Sequence, residues 1–257
     1  MTTHTQPKPA GTPTWVELMT PDLNAAREFY HAVFGWEYDI GAPEYGGYTN
    51  ARIGGRVAAG LSGPMPDGPP APSAWSLYFA TTAIESDVAR AVALGAKLHV
   101  PPMSVAPFGC MAVLEDPTGA PFGFWQAQEH IGSQVNDEPG GAAWYELYSP
   151  NVPHARDFYC ALLGVTAEPM PDDPAYYVFK RGEEQLCAVM QADPAWWTLP
   201  PQWITYFGVA DADAAVAAVT ANGGKALGAI EPTPFGRIAT LSDPAGAQFK
   251  IVEVPAN

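Results

Sequence analysis

The sequence predicts an α+β protein of two tandem copies, each built from two strand–helix–strand–strand–strand (βαβββ) units. Three observations carry this. First, "TWVELMTPDLNAAREFYHAVFGW" (Thr14–Trp36) returns as "AWYELYSPNVPHARDFYCALLGV" (Ala143–Val165). Trp15 answers to Trp144, Glu17 to Glu146, Pro21 to Pro150 and Gly35 to Gly164, and such a repeat changes the domain count. Second, short runs with period-two alternation give way to amphipathic helical runs in a fixed order. Third, 25 Gly and 28 Pro punctuate the chain, which implies many short elements joined by turns.

In the first copy, Trp15–Met19 reads as a strand with Trp15, Glu17 and Met19 on one face and Val16 and Leu18 on the other. Asp22 suits an N-cap. Leu23, Ala26, Phe29, Tyr30 and Val33 then form one helical stripe that Gly35 ends. Strand candidates follow at Trp36–Asp39, Gly47–Ile53 and Val57–Leu61. After the Pro-rich "GPMPDGPPAPS" (Gly63–Ser73), which reads as a solvent loop, the order recurs. A strand at Trp75–Ala80 leads to a helix over Ile84–Leu94, then strands near Leu98–Pro101, Met111–Glu115 and Phe122–Ala127. The second copy repeats "PFG" at Pro234–Gly236 and answers "DPTGAPFGF" (Asp116–Phe124) with "DPAGAQFKI" (Asp243–Ile251), its offset drifting through loop deletions. The expected division is a disordered tail at 1–12, a first domain at 13–127, a linker at 128–141 and a second domain at 142–254.

Hydrophobic residues make up 47% of the 257, enough for a sizeable core. Twelve Lys+Arg against 27 Asp+Glu give a net charge of −15, which disfavours nucleic acids and anionic membranes. Cys110, Cys160 and Cys187 have no zinc or redox spacing and read as reduced thiols. The opening residues lack a signal peptide's apolar run, and no window approaches a membrane span, so a cytoplasmic protein is expected.

On "TPDLNAAREFYHAVFGW" with "DPTGAPFGF", and on "SPNVPHARDFYCALLGV" with "DPAGAQFKI", the chain resembles the vicinal oxygen chelate superfamily, which includes glyoxalase I, bleomycin-resistance proteins and extradiol dioxygenases. The tandem W-x-E-L form is similar to bacterial two-domain glyoxalase-like proteins. The resemblance implies that each pair of βαβββ units curls into a half-open barrel around a pocket. It also implies a divalent metal held by His and Glu/Gln, one on each of four strands. Carried over, those positions fall near Trp15, Ala59 or Gly60, Ser76 and Gly123 in the first copy, and near Trp144, Ala188, Ile204 and Lys250 in the second. None is a usual metal ligand. Of the five histidines, His4 lies in the tail, His130 in the linker, His31 and His154 on the first helix of each copy, and only His99 in a strand able to face a pocket. No cofactor is predicted, and a divalent metal is the alternative.

The tryptophans at would-be ligand positions suggest an aromatic-lined pocket for a small organic molecule, hydrophobic or aromatic. The ligand-binding candidates are Trp15, Met19, Tyr48, Trp144, Tyr148, Tyr177 and Lys250. Glu17 and Glu146 are the catalytic candidates, as general bases or ligand anchors. The structural reading of each, a buried carboxylate tied to a neighbouring amide or basic side chain, stands ahead of the catalytic one. Lys250 stands near enough in the pattern to pair with Glu146, whereas Gly123 replaces it in the first copy. The expected function is binding, by sequestration or by cofactor-independent proton transfer of lyase or isomerase type. A metal-dependent lyase or dioxygenase of the same superfamily is the alternative. The expected partner is a small molecule, and the protein a monomer or homodimer.

Overall fold

The computed structural model describes residues 2–42, 46–64, 72–171, 173–194 and 197–255. The first half contains β2 (Pro13–Met19), α1 (Leu23–Phe34), β3 (Glu37–Ile40), β4 (Thr49–Ile53) and β5 (Arg56–Ser62), preceded by the two-residue β1 (Thr2–Thr3). It continues with β6 (Ala74–Ala80), α2 (Ile84–Ala93), β7 (Lys97–Val105), β8 (Gly109–Glu115) and β9 (Pro121–Ala127). After β10 (Val135–Asn136), the second half runs β11 (Ala142–Ser149), α3 (Val152–Leu163), β12 (Thr166–Met170), β13 (Asp173–Arg181) and β14 (Glu184–Gln191). It ends with β15 (Gln202–Val209), α4 (Ala212–Ala221), β16 (Lys225–Ala226), β17 (Glu231–Thr233), β18 (Gly236–Ser242) and β19 (Gln248–Glu253). Two tandem α+β halves of paired βαβββ units are therefore present. Most of the Pro-rich loop and Ala195–Trp196 lie outside the described residues.

Local chemistry sets the helix ends. Asp22 accepts from the Asn24 and Ala25 amides at 3.0 Å, and Gly35 closes α1 at φ 70°, a conformation glycine adopts without the Cβ penalty. Asn151 and Gly164 do the same for α3. Helix α2 lacks a side-chain cap of its own, but Gln126 Oε1 from β9 accepts the Ile84 amide at 2.9 Å. Strand β7 carries two prolines and lies at the sheet edge, where a missing donor costs no ladder bond.

Each half is one mixed sheet. The first has the order β3-β4-β5-β2-β6-β9-β8-β7, and the second has β12-β13-β14-β11-β15-β19-β18-β16. In both, the first strands of the two units are antiparallel neighbours (β2 with β6, β11 with β15), so the units join at the centre of the sheet. Val16 and Leu18 are fully buried in a core that also contains Leu147, Phe207 and Phe249, so the two halves share one apolar interior. Helix α1 packs on α4 and α2 on α3 across the boundary.

The repeat explains its own best-preserved residues at this boundary. Tyr30 donates to Asp243 Oδ2 at 3.2 Å and accepts from Trp75 Nε1 at 3.1 Å. Its counterpart Tyr159 donates to Asp116 Oδ2 at 3.0 Å and accepts from Trp203 Nε1 at 3.0 Å. Each Asp-Pro turn is thus held by a tyrosine of the opposite half. Burial raises both phenols well above their ordinary value, so they stay protonated donors.

The N-terminal segment differs from the expected disordered tail. Thr2–Thr3 pairs with Val135–Asn136, the His4 amide reaches Gln134 O, Lys8 Nζ donates to Pro13 O at 3.0 Å, and Gly11 N meets Ala80 O. The segment between the halves is likewise built in, because β10 joins β1 to β11 and Gln134 Oε1 accepts the Val57 amide. Backbone pairing over a distance of some 130 residues is invisible to composition, which is why a polar, Pro-containing start read as free.

Candidate functional site

Strand parity places the site. Because Val16 and Leu18 face the shared core, Trp15, Glu17 and Met19 face the opposite, concave side of the first sheet. There Trp15, Val57, Tyr78 and Trp125 form a separate apolar cluster. The register sets Glu17 level with Gly60 and Ser76, and Trp15 level with Tyr78, which lies beside Gly123. Side chains that would otherwise project from Gly60 and Gly123 are replaced by rings from neighbouring strands. A Cβ on Gly60 would meet the Tyr48 hydroxyl and Trp15 Cζ2, and one on Gly123 would collide with the Tyr78 ring.

A short relay ends on Glu17. Trp15 Nε1 donates to the Tyr48 hydroxyl at 3.1 Å, Tyr48 donates to Glu17 Oε2 at 2.9 Å, and Ser62 Oγ donates to Oε1 at 3.0 Å. No Lys, Arg or His among the described residues forms an ion pair with Glu17. Burial therefore raises the carboxyl above the usual glutamate range, and the Tyr48, Ser62 and Trp15 hydrogen bonds only partly offset it. Glu17 nevertheless keeps partial exposure on this face of the strand.

The second half repeats the frame with different chemistry. Tyr206 donates to Glu146 Oε2 at 2.6 Å, and Lys250 Nζ lies 3.2 Å from the same oxygen and 2.6 Å from the Tyr206 hydroxyl. The ammonium also sits over two rings, 5.2 Å from the Tyr148 centroid and 4.8 Å from that of Tyr206. Tyr148 stacks on Trp197 with centroids 4.1 Å apart. Glu146 is 4% exposed, so this is a buried, fully engaged ion pair. The Lys250–Glu146 contact is the one that the sequence pattern raised.

One candidate moves. Trp144 Nε1 donates to Tyr176 at 3.1 Å, not to Tyr177. Tyr177 packs against the shared core and lies under the Arg156 guanidinium, 5.1 Å from its ring centroid. The strand partners explain it: Asn50 pairs with Gly60 as Val178 pairs with Ala188, so the offset here is 128, and a one-residue slip turns a side chain to the other face. Met19 is half-buried beside Glu17 on the concave side.

His99 lies exposed on β7 against Glu115 at 3.1 Å and faces no pocket. His130, assigned to the linker, is instead part of the aromatic cluster. Its ring meets Trp15 edge-on at 4.5 Å, its carbonyl accepts from Trp125 Nε1, and its Nδ1 accepts from the Gly132 amide. Burial lowers its pKa to about 4, so the imidazole is neutral. Nothing in the second copy corresponds to it, so the repeat could not have flagged it. A cavity of about 610 Å³ opens between the N-terminal segment and β11, but neither carboxylate lines it.

A metal does not fit either face. Among the described residues no three His, Cys, Asp or Glu side chains come together, and the four strand positions hold Trp, Gly, Ser and Gly in one half and Trp, Ala, Ile and Lys in the other. Catalytic metal sites usually have about three protein ligands. Nor is a helix of the structure long and apolar enough to cross a membrane, among the described residues.

Known proteins resemble the chain throughout. CFP32 of Mycobacterium tuberculosis, named as a glyoxylase, is 37% identical over 250 residues, covering 95% of each chain. The anthracycline biosynthesis protein DnrV of Streptomyces peucetius is 33% identical over 261 residues, covering 95% of this chain and 94% of its own. Among solved structures, the Mn(II)-bound glyoxalase from Novosphingobium aromaticivorans superposes with a TM-score of 0.67 at 16% identity, over 95% of this chain and 82% of that one, a likeness of fold. The family model for the glyoxalase/bleomycin resistance protein/dioxygenase superfamily matches residues 12–124 and again 141–251, and the chain belongs to that superfamily.

Proposed function

We propose that the protein binds a small, planar, hydrophobic organic molecule on the concave face of its first half, and that Glu17 exchanges a proton with it without a metal. The observation that carries this reading is the state of Glu17. It is a carboxyl with hydroxyl donors only, raised by burial, on an aromatic surface where the superfamily's metal centre would lie. Trp15, Tyr78 and Trp125 form a buried apolar cluster beside Glu17, and ligand pockets typically combine apolar walls with few polar groups. A general base works best with a pKa near the working pH, and burial moves Glu17 in that direction. The second half, whose carboxylate is already engaged by Lys250, serves as the structural partner. The relatives named for anthracycline biosynthesis support a fused-ring aromatic ligand.

The test is a thermal-shift and calorimetric screen of hydroxylated polycyclic aromatics, with 1,4-dihydroxyanthraquinone as the first probe. A ligand that binds only the folded state raises the melting temperature. Saturable binding, followed by proton exchange or turnover that Glu17→Gln abolishes while affinity persists, supports both parts. Binding with no chemistry in the wild type reduces the reading to sequestration. Absence of binding across the screen refutes it.

A further inference from the structure

The cavity of about 610 Å³ beside β11 is not used by the function proposed for Glu17. The N-terminal segment forms one wall, from His4 through Lys8 to Pro13, and the starts of β11 and β14 form another. Its volume is that of an ordinary small-molecule pocket. Lys8 lines it together with Asn136, Asp137 and Glu184. Lys180 and Lys250 are each held by a glutamate, and Lys97 and Lys225 stand exposed on their strands. Lys8 differs from all four, being half-buried and forming no ion pair among the described residues. Its Nζ donates to Pro13 O at 3.0 Å, so a single backbone carbonyl tethers the amine at the cavity wall.

We propose that this cavity captures small neutral aldehydes, with Lys8 Nζ forming a reversible imine to the carbonyl carbon. The site is independent of Glu17 and of the aromatic ligand proposed for the first half.

Several features agree. Burial lowers the Lys8 ammonium to about 8, and Asp137 and Glu184 only partly oppose it. About half of Lys8 is then free amine at pH 8, against less than about 1% of an ordinary lysine. His4, on the same wall, is lowered by burial and by Lys8, so it is neutral there too. A desolvated lysine amine is an activated nucleophile toward carbonyl carbon. The wall also selects the ligand's charge, because Asp137 and Glu184 repel an anion and leave a neutral carbonyl compound unpenalised. The amine adds to the aldehyde, and loss of water from the carbinolamine closes the C=N bond. Counted from the ammonium, lysine and aldehyde give a protonated imine and water, with no net proton exchanged and no redox partner. The protonated imine keeps one N–H for Pro13 O, and the two carboxylates favour its positive charge. Asn136 adds a further sign of a ligand. Its Nδ2 donates to Ala142 O, but its buried Oδ1 has no partner among the described residues, and such orphans are rare in native proteins.

The experiment is reductive trapping of the full chain with benzaldehyde and sodium cyanoborohydride, which reduces the imine and leaves a benzyl label where it formed. Peptide mapping separates Lys8 from the chain's terminal amine, which titrates in the same range. At about pH 7.5 Lys8 should be labelled at least about tenfold faster than Lys97 or Lys225, at a rate that saturates with benzaldehyde. The advantage should shrink toward about pH 10, where the exposed lysines also lose their protons. Benzyl alcohol, which fills similar space without a carbonyl, should slow the labelling of Lys8 alone. Without reductant, benzaldehyde should raise the melting temperature of the wild type and not of Lys8→Arg, which keeps a cation and a donor but cannot form the imine. Labelling of Lys8 no faster than of Lys97, or strictly proportional to benzaldehyde, overturns the inference. So does an equal rise in melting temperature for Lys8→Arg, which would mean binding without the covalent bond. None of these outcomes bears on Glu17, whose reading stands or falls on its own screen.

Discussion

Lys250→Met strands a buried carboxylate and tests the asymmetry between the halves directly. The pair is close, 3.2 Å from Nζ to Oε2, with side chains 14% and 5% exposed. At an effective dielectric near 20, two unit charges at that distance attract by about 5 kcal/mol. Removing one partner of a buried pair costs about 3–5 kcal/mol, because the other charge remains desolvated. Tyr206 still donates to Glu146 at 2.6 Å, which favours the lower end. The expected loss is about 3 kcal/mol at pH 8, or a melting temperature lower by about 6–12 °C for a chain of this size. The shared core favours cooperative unfolding, so urea denaturation followed by tryptophan fluorescence is the assay. Adding Glu146→Gln to the Lys250→Met chain removes the unpaired charge and should recover much of the loss. A deficit below about 1 kcal/mol at pH 8, or one that the second substitution leaves unchanged, would show that the pair does not hold this face together.

Glu17→Gln should behave in the opposite way. The wild-type carboxyl has a folded-state pKa above its unfolded value, so it contributes stability at low pH that is lost as pH rises through the folded pKa. Glutamine has no such loss, and the variant should equal or exceed wild type at pH 8 and lose that relative advantage at pH 4, read from urea midpoints. Tyr30→Phe and Tyr159→Phe each leave a tryptophan Nε1 without its acceptor and an aspartate short of a donor. Each should cost about 2–3 kcal/mol in equilibrium unfolding, and a cost near zero for both would mean the halves are joined by apolar contact alone. His130 is held neutral down to about pH 4, whereas in an unfolded chain it titrates near 6.5. The folded state therefore loses up to about 3 kcal/mol as pH falls from 6.5 to 4, and His130→Gln should flatten that limb of the stability curve. An imidazole that titrates above pH 6 in NMR spectra would contradict its burial against Trp15.

Much of the architecture was legible because it is local and periodic. "WVELM" and "WYELY" put alternate side chains on opposite faces, so one face had to be core, and that face, with Val16 and Leu18, is fully buried. Asp22, Gly35 and Gly164 end helices through contacts with residues a few positions away. The repeat itself implied two sheets with the same strand order. Tyr177 was misplaced for a reason of the same kind. A loop between Gly164 and Ala188 has lost one residue relative to the first copy, and with a side-chain period of two, one residue decides the face. The equality of Tyr176 with Tyr48 needed the strand pairing, not the alignment of the strand starts.

The sequence by itself determined the duplication, the element order and which face of each first strand carries a carboxylate, because these follow from short-range periodicity and capping. Tertiary structure decided the chemistry of those carboxylates. Only the folded chain brings Lys250 from the last strand onto Glu146, lays Tyr48 and Tyr78 over two glycines beside Glu17, and folds His130 back against Trp15. The same opening strand thus carries a paired carboxylate in one half and an unpaired one in the other. The difference lies over 100 residues away, at Gly123 and Lys250, where only parallel strand pairing makes them neighbours.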